Sequence, residues 1–284
     1  MQILPFKELL PFIRHYLFLE SVDAGIKRLR LFSDGTTGLV FSQQNKLALN
    51  QNNNVLERLP NSFLYGQITE FKDIFLSNET MLVIVVFQPA GINKLLGLPA
   101  NDLRDSIVSA EDIFGKKGLM MEKKMAEKCT IQEKLFFLNS FFSSLLSRKD
   151  YRNGSLVPAS LDFIFKNRGL TTLPQLVKFT GYTERHIERK FLESIGIAPK
   201  RFINIVKLHS FLKHLNNNTG DANLTQIAYE AGYTDQSHLI KEFKKHTGMT
   251  PKLYRDKAAK LAVNLVAFLP SVVKSDLYNL PKYY

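Results

Sequence analysis

The sequence predicts a two-domain α+β protein: a β-barrel or sandwich with trailing helices in the N-terminal half, and an all-α C-terminal half carrying a tandem repeat. Three observations carry that prediction. Apolar residues fall in strand-length runs as far as Gln88 and at helical spacing later, the positive charge is concentrated in the second half, and one long segment of that half recurs.

At 284 residues, 45% hydrophobic and 23% charged, the chain is long and apolar enough for two ordinary cores. Its formal charge of +12 is unevenly shared: Lys and Arg exceed Asp and Glu by 18 against 16 in residues 1–150, and by 20 against 10 in residues 151–284. A basic excess confined to one domain suits a polyanionic partner, because each cation that neutralises a phosphate releases a condensed counterion. Charge alone does not separate DNA from RNA or an anionic membrane. The N-terminus lacks the pattern of a secretory signal, and no apolar run approaches the roughly 20 residues of a spanning helix. Cys129 is the sole cysteine, so no intrachain disulfide forms, and a reducing cytoplasm is the expected compartment.

From Phe12 to Gln88, runs such as IRHYLFLE, GLVFS, DIFLS and MLVIVVF alternate with turn residues that include Ser33-Asp34-Gly35 and Leu59-Pro60-Asn61. Short strands at this spacing predict a barrel or sandwich. Gln88-Pro89-Ala90-Gly91 reads as a strand-to-helix junction, and Ile131–Leu146 has the three- and four-residue spacing of a longer helix. The charged, Gly-, Ser- and Pro-containing stretch 148–158 is the expected linker, dividing an N-terminal domain over 1–147 from a helical domain over 159–256. A C-terminal extension, 257–284, reads as a helix at its start and is expected to dock on the first domain or on another protomer.

The repeat is the informative feature. Residues Leu173–Phe202 align with Leu224–Tyr254, so that Gly181-Tyr182-Thr183 matches Gly232-Tyr233-Thr234, and Phe191, Gly196 and Pro199 match Phe243, Gly248 and Pro251 with one residue inserted after the second Gly-Tyr-Thr. In each copy a short amphipathic helix ends at a glycine, which takes a left-handed C-cap at little steric cost. Thr183 or Thr234 then offers a hydroxyl N-cap to a second helix. That helix buries Ile187 and Phe191, or Leu239 and Phe243, and shows its other face to solvent. Two such units are helix-turn-helix motifs, whose second helix meets base edges with its N-terminal residues. In the first unit Arg185, Glu188 and Arg189 share one face; in the second Gln236, Ser237, Ile240 and Lys241 form the equivalent face. Arg and Lys suit guanine, Gln adenine, Glu cytosine N4, and Ile a thymine methyl. The competing reading is a merely solvated helix face, against which stand the repeat, the caps, the turn and the basic domain together.

The stretch IAYEAGYTDQSHLIKEFKKHTGMTPKLYR resembles the signature of the AraC/XylS family of bacterial regulators, and the resemblance extends over Ser155–Asp256. It implies seven helices, with a linking helix over Pro199–Leu215 and recognition helices entering successive major grooves. The first unit departs from the pattern at Lys207, Phe211 and Phe179-Thr180, which read as repacking, and Glu188 stands where a carboxylate would repel phosphate. Residues 1–147 resemble a β-rich domain of unassigned role that precedes such modules, on stretches including FSDGTTGLVF and VVFQPAGINKLLGLPANDLRDSIVSAEDIFG. By fold-level analogy it senses an effector or dimerises.

No catalytic residue, cofactor or metal site is expected: His15 has no evident partner, His209 and His214 are off the spacing of a helical metal pair, and the GxSxG, HExxH and GxxxxGK[ST] motifs are absent. The expected partners are double-stranded DNA, a small-molecule effector in the N-terminal domain, a second copy in a homodimer and, for an activator, RNA polymerase; no membrane is expected. A DNA-repair or DNA-modifying enzyme and a sequence-tolerant packaging protein are the rival readings.

Overall fold

The computed structural model describes residues 1–21, 26–42, 47–51, 55–77, 80–146, 156–217, 224–257, 259–262 and 264–267. The N-terminal half contains two antiparallel sheets rather than a closed barrel. In chain order its strands are β1 (Gln2–Ile3), β2 (Ile13–Ser21), β3 (Ile26–Leu31), β4 (Gly38–Ser42), β5 (Leu47–Gln51), β6 (Val55–Arg58), β7 (Ser62–Tyr65), β8 (Lys72–Ser77), β9 (Thr80–Phe87) and β10 (Ile107–Ser109). Two more, β11 (Ala259–Ala262) and β12 (Leu265–Ala267), come from the far end of the chain. The first sheet runs β1-β2-β9-β4-β7-β10 and the second β11-β12-β3-β8-β5-β6.

Strand β9 shows why the first sheet lies in the middle. Its side chains alternate between two faces, and both are apolar. Val83, Val85 and Phe87 join a core with Tyr16, Phe18 and Leu39 beneath the helices α1 (Gly91–Leu96), α2 (Ala110–Phe114), α3 (Lys116–Glu127) and α4 (Ile131–Leu146). Leu82 and Val86 point the other way, with Leu17, Leu19 and Val40, toward Leu29, Leu47 and Leu76 of the second sheet. A strand buried on both faces has no polar side to keep, and this accounts for the continuous run MLVIVVF.

The C-terminal half folds into seven helices among the described residues: α5 (Leu156–Lys166), α6 (Leu173–Thr180), α7 (Glu184–Ile195), α8 (Pro199–Asn217), α9 (Leu224–Glu230), α10 (Gln236–Thr247) and α11 (Pro251–Lys257). Of the expected linker, 148–155 lie outside the described residues. Leu156–Pro158 instead open α5, where proline is tolerated because a first-turn amide has no intrahelical acceptor. The expected helix after Lys257 is corrected: β11 (259–262) and β12 (265–267) pair as a β-hairpin, and β12 pairs with β3 at Leu265↔Leu31, Val266↔Arg30 and Ala267↔Leu29. An open strand edge supplies hydrogen bonds that local helical spacing does not anticipate. Residues 268–284 lie outside the described residues.

The two halves share a core. Phe32 of the sandwich packs with Leu208, Phe211, Leu212 and Tyr254 of the helical half, and its ring meets that of Tyr254 edge-on at 6.3 Å. Gly35, at φ +78°, lets the chain turn where a Cβ would stand 2.7 Å from the Phe202 ring. The Asp34-Gly35 turn is therefore also a docking point for α8.

Candidate nucleic-acid interface

Each recognition helix is prepared by the helix before it. Helix α6 begins with a capping box, in which Thr172 and Gln175 exchange side-chain and backbone hydrogen bonds, and ends at Gly181 with φ +72°. The amide of His186 donates to the Thr183 hydroxyl at 3.4 Å, so Thr183 is the N-cap of α7. The second unit repeats the plan with one correction. Asp235, not Thr234, caps α10, its carboxylate accepting from the amides of Ser237 at 2.9 Å and His238 at 3.3 Å. The residue inserted in the second copy places a carboxylate at the cap, where a negative charge also complements the helix dipole.

Burial sorts each helix into an inner and an outer face. Ile187, Phe191 and Ile195 of α7 and Leu239 and Phe243 of α10 are fully buried. On the outer face of α7, Arg185 and Arg189 are exposed and Glu188 is half-buried; all three border one open groove together with His186. On α10, Gln236, Ser237 and Lys241 are exposed and Ile240 is half-buried. Gln236 is partly engaged, accepting from the Thr225 hydroxyl of α9 at 3.1 Å.

Two features of this surface were not read from the sequence. His186 stacks on Tyr182 with ring centroids 5.0 Å apart and lies 3.4 Å from the Arg189 guanidinium, so it braces an arginine of the outer face. The i, i+3 spacing of His186 and Arg189 was a signal that could have found it. The turn Ala100–Leu103 of the N-terminal half packs against α7, and Asn101 borders the same groove as Arg185 and Glu188. Only the tertiary fold brings that turn to the helix.

The departures of the first unit find their places in packing. Phe211 fills the space between Tyr233 and Phe243, edge-on to both at 6.1 and 6.0 Å. The Lys207 ammonium lies 4.1 Å above the Tyr233 ring, where burial lowers its pKa. Phe179 stacks on Phe163 at 4.3 Å.

A family model described as a helix-turn-helix domain matches residues 176–257, and a second, described as a domain of unknown function (DUF6597), matches residues 1–109. The C-terminal domain is of the AraC type. An uncharacterized HTH-type transcriptional regulator of Staphylococcus aureus is 29% identical over 93 residues, which are 33% of this chain and 12% of that protein. The HTH-type transcriptional activator RhaS of Pectobacterium atrosepticum is 28% identical over 173 residues, 59% of this chain and 53% of that protein. The chain thus spans 12% of the length of the S. aureus relative. Among solved structures, ToxT from Vibrio cholerae superposes with a TM-score of 0.47 at 14% identity, over 84% of this chain and 97% of that one. A xylose-binding transcription activator, xylR, does so with 0.32 at 18% identity, over 44% and 38%.

The AraC-type domain is held to the sandwich by polar contacts as well as by the shared core. The ring Nε2 of His209, buried on α8, lies 2.9 Å from the Ser33 carbonyl. Burial lowers the His209 pKa, against the pull of Asp34. Burial raises the Asp34 carboxyl, but Arg14 at 3.5 Å, His209 and the hydroxyl and amide of Thr36 outweigh it, and the pKa lies below the usual value. Arg201 donates to the Thr69 carbonyl, and Arg30 to the Gly248 carbonyl at 3.0 Å. His209, weighed from sequence only as half of a metal pair, is an interdomain contact. No cluster of three or more His, Cys, Asp or Glu fit to hold a metal occurs among the described residues, and no described helix is long and apolar enough to cross a membrane.

Proposed function

We propose that the protein is a sequence-specific transcription regulator that reads two adjacent major grooves of double-stranded DNA with α7 and α10. The observation that carries this is the pairing of two capped helices of one repeat, each with a buried apolar face and an exposed polar and basic one. Arg185, Glu188 and Arg189 read one groove, and Gln236, Ser237, Ile240 and Lys241 the next, while helix N-termini and surrounding cations hold phosphates. The domain divisions at 147 and 256 separate a controlling unit from a reading unit. Control comes from a ligand or from self-association through residues 1–147, and an activator would also contact RNA polymerase.

Binding-site selection with the purified protein, followed by competition against random DNA at moderate salt, tests the reading. A specific-to-random affinity ratio of about a thousand or more is expected. A ratio below about 10 would instead identify a packaging protein.

A further inference from the structure

A cavity of about 700 Å³ lies between the two sheets, and one part of its wall comes from the opposite end of the chain. Leu29 and Leu31 of β3 line it, as do Ile74 of the neighbouring β8, Leu82 and Ile84 of β9 in the facing sheet, and Leu265 of the C-terminal hairpin. Leu265 sits directly opposite Leu31 in the β12–β3 register, so the two face the cavity side by side. Asn264, buried just before β12, closes the end of that pairing: its carbonyl accepts from the Phe32 amide at 3.0 Å and its side-chain amide donates to the Phe32 carbonyl at 3.2 Å.

The same strand faces the second helix-turn-helix unit on its other side. Between Leu29 and Leu31, Arg30 points away from the cavity. Its guanidinium binds Asp73 at 2.7 and 2.8 Å, lies 4.1 Å from the centre of the Phe71 ring, and donates to the carbonyl of Gly248, the C-cap of α10. Contact there is tight, for a Cβ on Gly248 would stand 2.5 Å from that guanidinium. Val266, paired with Arg30, is fully buried in the core that also contains Tyr254 of α11 and Phe243 of α10. Helix α11 ends at Lys257, and the hairpin starts at Ala259. The end of the recognition helix and the strand that follows its unit are thus both fixed to β3, whose alternate residues form the cavity wall.

We propose that the C-terminal hairpin is a tether that reports occupation of the intersheet cavity to the second helix-turn-helix unit, and that the occupant is an uncharged, mainly apolar small molecule. The inference rests on the reading that the N-terminal half controls a DNA-binding half. The ligand class follows from the lining: half of its residues are Leu, Ile or Val, its carboxylates (Asp34, Glu57, Asp105, Asp112) outnumber its cations (Arg58, Lys72) and so disfavour an anion, and three of those carboxylates are already engaged, Asp34 by Arg14, Asp105 by Thr69 and Asp112 by Ser109, which leaves little to draw in a cation. An apolar occupant makes dispersion contacts with both Leu31 and Leu265, and so tightens the β3–β12 pairing and the hold on Gly248.

The test is hydrogen exchange on the full-length protein with and without N-phenyl-1-naphthylamine, an uncharged apolar fluorescent probe. Saturable probe fluorescence is expected, abolished by Ile84→Trp, which fills the cavity from the wall opposite the hairpin. With probe bound, the amides of Phe32, of 265–267 and of 248–250 are expected to exchange about tenfold more slowly. Leu265→Ala is expected to keep probe binding but lose the protection at 248–250. Absence of saturable binding overturns the ligand class, and binding without protection of the hairpin overturns the tether. Neither readout needs DNA, so failure of the tether is distinguishable from failure of the regulatory reading, which the competition with random DNA decides.

Discussion

Glu188 is the residue whose role is hardest to assign to packing and most informative for recognition. It is half-buried on the outer face of α7 between two arginines, Arg185 and Arg189, and borders the open groove. In the proposed reading a carboxylate so placed would accept from cytosine N4 and be repelled by phosphate, so its expected effect is to exclude sites more than to add affinity. Glu188→Ala is expected to broaden the sequence preference at one position of the selected site while leaving affinity for the best site within a few-fold. An unchanged preference in site selection would sink that role. Arg185→Ala has the opposite signature, with a loss of about 1–3 kcal/mol at one base position if the guanidinium pairs bidentately with guanine. The legible part of the face was its spacing. The support of Arg189 by His186 and Tyr182 required the side-chain geometry, because an exposed ring and a half-buried one four residues apart do not have to stack.

Local sequence determined the helices of the repeat well and the end of the chain poorly. Gly181, Gly196, Gly232 and Gly248 all adopt positive φ where the repeat places turns, a conformation that glycine adopts without the penalty borne by a residue with a Cβ. The cap of α10 was misplaced by one residue, because Thr234 and Asp235 are both good cap residues and only the path of the chain selects between them. Asp235→Ala is expected to lower stability by about 0.5–2 kcal/mol, read as a lower urea midpoint at unchanged slope. Thr234→Ala is expected to change it little; equal losses in the two variants would contradict the assignment of the cap. The hairpin of β11 and β12 could not be read locally, since KAAKLAVNLVAFL fits a helix, and its strands exist because β3 offers an edge and an apolar surface for Leu265 and Val266.

At the scale of the whole molecule, the buried histidines set the response to acid. Burial depresses His209; burial and then Arg14 take His15 down to about 3; burial, Arg201, Lys245 and His209 take His246 to about 4. Each therefore binds its proton more weakly in the folded chain than in the unfolded one, where histidine titrates near 6.5. Between those values the unfolded state holds more protons, so stability is flat above about pH 7 and falls as pH drops below about 6.5. Asp34 and Asp73, depressed despite burial by their arginine partners and hydrogen bonds, add a further loss as pH falls below the usual carboxylate range. Urea midpoints are expected to agree at pH 8 and 7 and to decrease from pH 6 to 5. A midpoint that rises on acidification would contradict the sign. Because His209 and Arg14 meet Asp34 at the junction of the two halves, the same titration is expected to loosen the interdomain contact first. Hydrogen exchange would show this as early opening at Ser33–Thr36.

By itself the sequence determined what repeats, alternates or caps: the strand-rich first half, the two helix-turn-helix units, the glycine turns and the residues each recognition helix turns outward. These follow from periodicity and backbone sterics, which act over a few residues and leave a local mark. The tertiary structure decided what depends on distant segments meeting. It made the first sheet a middle layer, turned His209 and Arg30 into contacts between halves, brought Asn101 beside α7, and drew the end of the chain back onto β3 as a wall of the intersheet cavity. Pairing between residues more than two hundred positions apart, such as Leu31 and Leu265, is fixed by which edge and which apolar surface remain uncovered once everything else has packed.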